Sequence, residues 1–474
     1  MKRSFFSGKK VVVMGLGRFG GGVDAAKLAC DAGAKVLVTD LAGKAQLDES
    51  IEQLAGYEGI EYHLGAHRRK DFEQTDMVIV NPAVPFDNEY VEAARRKGKI
   101  VTTAMNIFFQ LSPARIIGIT GSNGKSTTTA LTAHLLTSIK SQEYLAKHKE
   151  NKNQQDVAYK NVWLSGNIGN RPLLGLLDKI DKNDLVVLEI SSFQSEHLGQ
   201  IGNGPRLALL TNLTPNHLDR HGTFQAYCAA KENIFKYQKL DGQAPAISVF
   251  NAEDNIANKW YEKYSKEKGR LCIKYSVADV SDQIREAFGL PGRVNLSNLA
   301  GAIAIAKYFG LDDDAIKSCL PEFKPLEHRL ELAAEIGAVQ WYNDSIATTP
   351  QSTMAALEAF DKPVVLIAGG YDKGLDFDEL GEIIASSTKA VVLIGQTAKK
   401  IKKTIEENLD KENTEKNIEI KSVITLEEAV NMSNRFAESG DVVLLSPGCA
   451  SYDMFDNFAQ RGREFVRLIR KLNG

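Results

Sequence analysis

The chain has 474 residues, 43% hydrophobic and 25% charged, with a formal net charge of -2, the composition of a globular protein long enough for about three domains. So near-neutral a balance lacks the broad basic surface of a nucleic-acid binder, and small molecules are the expected partners. Five cysteines, Cys30, Cys228, Cys272, Cys319 and Cys449, are scattered and without CxxC spacing, which points to neither a disulfide framework nor a zinc site and fits buried thiols in a reducing cytoplasm.

The opening MKRSFFSGKKVVVMG is basic, but its apolar run is shorter than a signal-peptide core and leads into a glycine loop. No apolar window approaches a membrane span, so the expectation is a cytoplasmic protein with no membrane partner. Short apolar runs then alternate with helical patterns: KVVVMG, KVLVTD, DMVIVNP, IIGITG, LVVLEISS, LALLTNLT, PVVLIAGG, AVVLIGQT and VVLLSPG. That alternation predicts an α/β fold of parallel sheets with helices on both faces and ligands beyond the carboxyl ends of the strands. Linkers around Ser112–Pro113 and around Pro321 and Pro325 set expected domains at 1–112, 113–323 and 324–474. The polar segment from Ser141 to Asn161 interrupts the second and reads as a solvated surface insertion.

In the first domain GLGRFG places Gly15, Gly17 and Gly20 in a GxGxxG pattern after a strand, with Asp40 closing the next strand twenty residues beyond Gly20. Glycines let backbone approach phosphate and a carboxylate receives ribose hydroxyls, so taken alone this Rossmann-like stretch predicts a dehydrogenase. The second loop contests that. GITGSNGKSTTT, residues 118 to 129, misses the strict phosphate-loop spacing by one position, because Ile119 stands where a glycine is wanted. Gly121, Ser122, Asn123, Gly124, Lys125, Ser126 and Thr127 nevertheless open a helix after a strand. Backbone N–H groups there suit phosphate, Lys125 suits the β and γ oxygens, and the Ser126 hydroxyl suits Mg²⁺. The second domain is therefore expected to be of the P-loop ATPase type.

LVVLEISSFQ ends a strand with Glu189, where a carboxylate beside a phosphate loop suits a Mg²⁺ ligand, and Ser191 follows. Farther on, His217, Asp219 and His221 share a loop and Lys231 lies on an amphipathic helix. By spacing alone, these read as a structural histidine loop and a solvated helical lysine rather than as ligands.

The motifs TGSNGKSTTT, LEISSFQSE, GNIGN, NHLDRHGTFQAYCAAK and LLSPGCASYDMFDNFAQRGREF, with the N-terminal glycine loop, are in the order found in the Mur ligase superfamily, which the chain resembles over essentially its full length. Within it, the resemblance is greatest to the branch that adds D-glutamate to UDP-N-acetylmuramoyl-L-alanine at the expense of ATP in peptidoglycan precursor biosynthesis. It implies a third, Rossmann-like domain and a first loop that holds uridine diphosphate rather than a dinucleotide. Leu16, Arg18, Asp40, Asn81, Pro82 and Ala83 would line that loop, and Asn167, Ser191 and Gln194 would lie along the muramoyl-alanine.

The resemblance also implies two Mg²⁺ sites, one at Ser126 and Glu189 and one near His217, with a carbamylated Lys231 as a carboxylate-like ligand. Asn295 and Asn298 would meet the adenine side, Arg329 and Asp344 the ATP side, and Thr348, Lys373, Ser451 and Phe458 the incoming glutamate. Lys125, His217 and Lys231 are the expected catalytic groups, His217 for proton handling or for metal. Three departures stand out: Ile346 where family members often carry a lysine, Val294 where a histidine often precedes the first asparagine, and a longer insertion at 141–161.

The implied mechanism is attack of the alanyl carboxylate on the γ-phosphate of ATP, then displacement of phosphate from the acyl phosphate by the glutamate amine, with domain closure bringing the amine into reach. A monomer is expected. Rival readings are an L-glutamate-adding ligase on the same nucleotide, a folylpolyglutamate synthase-like ligase, and a nucleotide-sensing protein without catalysis.

Overall fold

The computed structural model describes residues 2–17, 20–85, 87–138, 158–168, 173–240, 244–412 and 418–472. Arg18 and residues 141–157 of the expected insertion lie outside them. The chain forms two compact units, one of Met1–Ala287 with Ser297–Pro321, the other of Phe288–Leu296 with Glu322–Gly474.

Among the described residues the first unit holds two sheets. One has β1 (Lys10–Met14), β2 (Lys35–Asp40), β3 (Glu61–Leu64), β4 (Met77–Val80) and β5 (Ile100–Thr103) in the order β3-β2-β1-β4-β5. The other has β6 (Arg115–Thr120), β7 (Val162–Gly166), β8 (Leu185–Glu189), β9 (Leu207–Leu210), β10 (Ala246–Asn251) and β11 (Arg270–Tyr275) in the order β11-β10-β9-β6-β8-β7. All of these pairings are parallel. Central strands such as MVIV and LVVLE are buried at every position, because helices cover both faces and leave no solvent side for alternation to mark. Both sheets contribute to one hydrophobic cluster that includes Val11, Phe108, Ile116, Leu188 and Phe250. Hydrogen bonds cross from one to the other: the Asn106 amide donates to the His197 carbonyl at 2.9 Å, and the Leu173 N–H donates to Asp24 at 3.0 Å.

In the second unit β12 (Glu331–Ile336), β13 (Val339–Asn343), β14 (Val364–Ala368), β15 (Thr388–Leu393), β16 (Glu419–Ser422) and β17 (Val442–Leu445) are ordered β12-β13-β17-β14-β15-β16. The β12–β13 hairpin is antiparallel and the remaining pairs are parallel. One face packs Leu366, Leu380, Ile401 and Leu444, the other Trp341, Val430, Phe465 and Ile469.

In each sheet the strand order reverses beside a central strand, and that is where an open α/β sheet leaves a crevice at its carboxyl edge. At β1 the glycines divide their tasks differently from the expected pattern. Gly20 has φ 83 and open space where a Cβ would stand, so it serves backbone conformation alone. The close approach falls to Gly22 in helix Gly21–Asp31, where a Cβ would lie 2.4 Å from the Leu16 carbonyl oxygen and 2.5 Å from that of Gly15. Gly22→Ala should therefore destabilise the first unit by about 1–3 kcal/mol, read as a lower midpoint in thermal unfolding. An unchanged midpoint would contradict this packing.

Candidate functional site

At the β1–β4 crevice, the Asn81 N–H donates to the Met14 carbonyl at 2.9 Å and its side-chain amide to the Gly15 carbonyl at 3.3 Å. Gly15 has φ 87, and a Cβ there would stand 2.8 Å from the Asn81 Cβ. Asp40 accepts from the Gly17 N–H at 3.1 Å and the Ala42 N–H at 2.9 Å, so its carboxylate shapes the loop. The Ala83 N–H donates to the Asn81 side-chain oxygen at 3.0 Å, which closes the Asn81-Pro82-Ala83 turn. Leu16 is fully buried in the hydrophobic cluster, leaving its backbone as what it can offer the crevice.

The β6 loop is held by β9's carboxyl-end segment. Gly121 has φ 151, and a Cβ there would meet the Thr211 hydroxyl at 1.8 Å; at Gly124, with φ 78, it would meet Asn298 Oδ1 at 2.0 Å. The Ser122 and Asn123 N–H groups donate to the Asn212 carbonyl (2.8 Å) and side-chain oxygen (2.9 Å). Ser122 Oγ donates to the Thr214 carbonyl at 2.9 Å and lies 3.0 Å from the Tyr227 hydroxyl. Lys125 Nζ donates to the Ser122 carbonyl at 2.7 Å, folded back over its own loop. Ser126 and the buried Thr127 follow in the first turn of helix Lys125–Ser138, where unsatisfied N–H groups and the helix dipole favour an anion. Asn298 is buried on helix Arg293–Tyr308 and accepts from the Thr128 hydroxyl at 3.3 Å, while Asn295 donates to the Pro291 carbonyl at 2.7 Å.

Glu189, at the end of β8, is 2% exposed. Its Oε1 accepts from the Asn167 amide at 3.0 Å, and its Oε2 is buried with no partner among the described residues. An orphaned, buried carboxylate oxygen is the hard-oxygen donor that Mg²⁺ requires. Among the described residues no group of three His, Cys, Asp or Glu side chains converges on a common point, so hydroxyl and phosphate oxygens would have to complete such a shell.

Lys231, on helix Phe224–Lys236, is 1% exposed. Its Nζ contacts the Thr120 hydroxyl at 3.4 Å and lies 4.8 Å from the centre of the Tyr227 ring. Burial drives its pKa well below the usual lysine range, and the Lys125 charge pushes the same way against the pull of Glu189. The conclusion that this lysine belongs to the phosphate loop, which spacing left open, rests on that environment. His217 sits in the left-handed region at φ 52, ahead of the short helix Leu218–His221, and its pKa is lowered by burial and by Lys231 and Lys125. Phe193 packs against both histidine rings, 4.9 Å from His217 and 5.5 Å from His221. Ser191 and Gln194 engage each other in a capping box around helix Ser192–Ser195, with the Ser191 N–H donating to Gln194 Oε1 at 2.9 Å.

In the second unit Asp344 follows β13, is buried, and accepts from Ser446 Oγ at 2.8 Å and the Leu330 N–H at 3.2 Å. Burial raises its pKa to about 7 against the opposing pull of Ser446, Arg329, the Leu330 N–H and Arg461. Arg329 lies between two non-glycine residues with positive φ, His328 (65) and Leu330 (41), and its Nε is buried with no partner among the described residues. Backbone held in that region marks a segment over-determined by its surroundings. Ser451 is buried, Lys373 is exposed with its Nζ 5.6 Å from the centre of the Tyr452 ring, and Phe458 opens helix Phe458–Leu472, its carbonyl accepting from Ser345 Oγ at 2.8 Å. Thr348 is half-buried in the segment after Asp344.

Sequence reasoning passed over Arg220, the residue between the two candidate histidines. Its guanidinium donates to the Ala83 carbonyl at 3.3 Å and the Val84 carbonyl at 2.9 Å, with Phe193 beneath it at 5.3 Å. It thereby ties the histidine loop to the turn after β4. Tyr227, which links Ser122 to Lys231, was also missed; both residues lie inside a quoted motif, and only the fold shows what they touch.

Family models match three segments: Mur ligase MurD-like, N-terminal domain, over residues 9–103; Mur ligase middle domain, over 119–306; and Mur ligase, glutamate ligase domain, over 328–449. Among curated relatives, the UDP-N-acetylmuramoylalanine–D-glutamate ligase of Acetivibrio thermocellus is 37% identical over 457 residues, covering 93% of this chain and 92% of its own. That of Clostridioides difficile is 35% identical over 482 residues, covering 98% and 99%. Among solved structures, MurF from Acinetobacter baumannii aligns with a TM-score of 0.54 at 14% identity, over 98% of this chain and 93% of that one. A pseudomurein peptide ligase type C from Methanothermus fervidus gives 0.52 at 15%, over 98% and 100%. At those identities the likeness speaks for the fold.

Two outcomes follow from this geometry. Arg220→Ala removes two charge-assisted hydrogen bonds, so affinity for a nucleotide bound at the β1–β4 crevice should fall about tenfold, with ATP affinity unchanged, by titration calorimetry. For Asp344, a folded pKa of about 7 against an ordinary 3.8 means that the native state holds a proton that the unfolded chain has lost. Its contribution to stability is therefore lost as pH rises through that window, and the melting-temperature difference between Asp344→Asn and wild type should move in the variant's favour from about pH 4 to 7.

Proposed function

The chain belongs to the Mur ligase family, and from that premise we propose that it joins D-glutamate to UDP-N-acetylmuramoyl-L-alanine, cleaving ATP to ADP and phosphate, in peptidoglycan precursor synthesis. The observation that carries the reading is one juxtaposition: a phosphate loop with Lys125, a buried lysine whose ammonium is disfavoured, and a buried carboxylate with one oxygen unpaired. A dehydrogenase has no use for this arrangement.

A carboxylate resists an amine because oxide is a poor leaving group, and phosphorylation by ATP removes that obstacle. The alanyl carboxylate attacks the γ-phosphorus, ADP leaves, and the resulting acyl phosphate is attacked at its carbonyl carbon by the glutamate amine. Phosphate leaves with the former carboxylate oxygen, and the nitrogen sheds a proton as the amide forms. Lys125 and the first-turn N–H groups of helix Lys125–Ser138 stabilise charge on the transferred phosphoryl group. The Lys231 amine, its proton affinity lowered by burial, adds CO₂ in its unprotonated form, releasing a proton and becoming a carboxylate-like anion. Ser126 and Glu189 would hold one Mg²⁺, and His217 with carbamylated Lys231 a second. Mg²⁺, when bound, neutralises the phosphate oxygens. His217, its proton affinity lowered, is otherwise available as a base for the amine.

In this reading residues 1–112 receive the UDP-substrate through the Gly15–Gly17 loop, Asp40 and the Asn81 turn, and Asn167, Ser191 and Gln194 flank its muramoyl-alanine. Residues 113–323 receive ATP, with Asn295 and Asn298 on the adenine side, and 324–474 receive glutamate at Thr348, Lys373, Ser451 and Phe458 and carry the ATP-side candidates Arg329 and Asp344. We take the enzyme as a monomer in the cytoplasm, where ATP and the UDP-linked substrate are in solution. No described helix is long and apolar enough to cross a membrane.

Phosphate release from ATP, with Mg²⁺ and UDP-N-acetylmuramoyl-L-alanine, should require D-glutamate. Release with L-glutamate instead would keep the mechanism and change the specificity, a result that Ile346 in place of a lysine makes worth measuring. Wild-type turnover should fall on removal of CO₂ and recover with bicarbonate. Lys231→Ala should lose about a hundredfold and ignore bicarbonate. A wild-type enzyme indifferent to bicarbonate would sink the carbamate.

A further inference from the structure

Arg461 is 0% exposed, on helix Phe458–Leu472, and has no part in the mechanism proposed for the ligase. Its hydrogen-bond partners are all neutral: Nε donates to Ser345 Oγ at 3.0 Å, Nη2 to the Ser345 carbonyl at 2.9 Å and the Cys449 carbonyl at 3.1 Å, and Nη1 to the Ala450 carbonyl at 3.4 Å. A guanidinium taken out of water without a contacting carboxylate is costly, and helix burial alone is served better by an apolar side chain. Something must offset that cost.

The acceptors say what. Ser345 begins the turn that leads to Thr348, and its hydroxyl also donates to the Phe458 carbonyl at 2.8 Å. Cys449 and Ala450 directly precede Ser451, and Ala450 bridges to Tyr371, two residues before Lys373. One planar group on the helix that Phe458 opens therefore holds the segments leading to Thr348 and Ser451, and through the Ala450–Tyr371 bridge it reaches the segment of Lys373. Its fork of fixed donors suits several carbonyls at once, whereas an ammonium is a single point.

We propose that Arg461 is the positioning residue of the amino-acid pocket: it locks the Ser345–Thr348 and Cys449–Ser451 segments and the start of helix Phe458–Leu472 into one register and lends the pocket floor a fixed positive charge for an anionic amino acid. The inference rests on the glutamate reading proposed above. Burial lowers the Arg461 pKa to about 10, so the group stays protonated at neutral pH. Asp344 and Asp453 act on it from beyond contact distance.

The test uses the full chain, with KM measured separately for D-glutamate, ATP and the UDP-substrate, wild type first. R461K keeps the charge and loses the fork. Its KM for D-glutamate should rise about tenfold or more, with the other two constants within about twofold, because a displacement of an ångström in a positioned group is felt at that scale. S345A keeps the guanidinium and should shift the same constant by a smaller factor, about threefold; it supplies the answer if R461K does not fold. A folded R461K or S345A with an unchanged KM for D-glutamate, or with all three constants raised alike, would overturn the proposal and leave the function intact. Wild-type phosphate release that ignores D-glutamate would overturn the function itself, and the pocket role with it.

Discussion

A lysine at 1% exposure, with a second lysine acting on it and a carboxylate to oppose both, cannot hold its proton as a surface lysine does. Lys231 stands on a helix packed against β8's carboxyl-end segment, with Tyr227 one turn earlier reaching Ser122 in the phosphate loop. The loop can approach so closely because Gly121 and Gly124 have no side chain to collide with Thr211 and Asn298. Burial lowers the proton affinity of Lys231 while Lys125 folds back over its own loop, so two chemically identical groups have different surroundings.

The three sheets solve the same problem in the same way. At each carboxyl edge the segments that follow neighbouring strands leave the sheet and need ties that keep them from drifting apart. Each pair is pinned by a side chain reaching the other's backbone: Asn81 to Gly15 in the first sheet, Asn212 to the Ser122–Asn123 segment in the second, Arg461 to Ser345, Cys449 and Ala450 in the third. Amides suffice for two strands, whereas the third sheet uses a guanidinium because it must hold more carbonyls at once. Arg220 extends the device across two sheets of one unit, from the histidine loop to the turn after β4.

These ties also explain the polar groups in the interior. Asp344, with its proton affinity raised by burial, and Arg461, with its own lowered to about 10 but still protonated at neutral pH, are both buried around Ser345. Thermodynamically this is a poor place for charge, and the strained His328-Arg329-Leu330 segment lies against it, with the Leu330 N–H donating to Asp344. Stability given up at one locus in favour of defined geometry is expected where ligands must be held in register.

The apolar runs, their alternation with helical patterns and the two glycine loops were legible in the residues alone, because strand burial and phosphate approach are local requirements written at fixed spacings. So were Glu189 and Lys125, which sit at strand and helix ends that the pattern locates. What the order of residues could not decide was the environment of each group. Lys231 reads as a solvated helical lysine until Thr120 and Tyr227 close over it, and Gly22 as a spare glycine until the Gly15 and Leu16 carbonyls meet it. Arg461 and Arg220 find their partners 116 and 136 residues away along the chain. Contacts at that separation are created by strand order and helix packing, so burial, proton affinity and the tying of segments belong to the tertiary structure, where low dielectric and forced proximity set them.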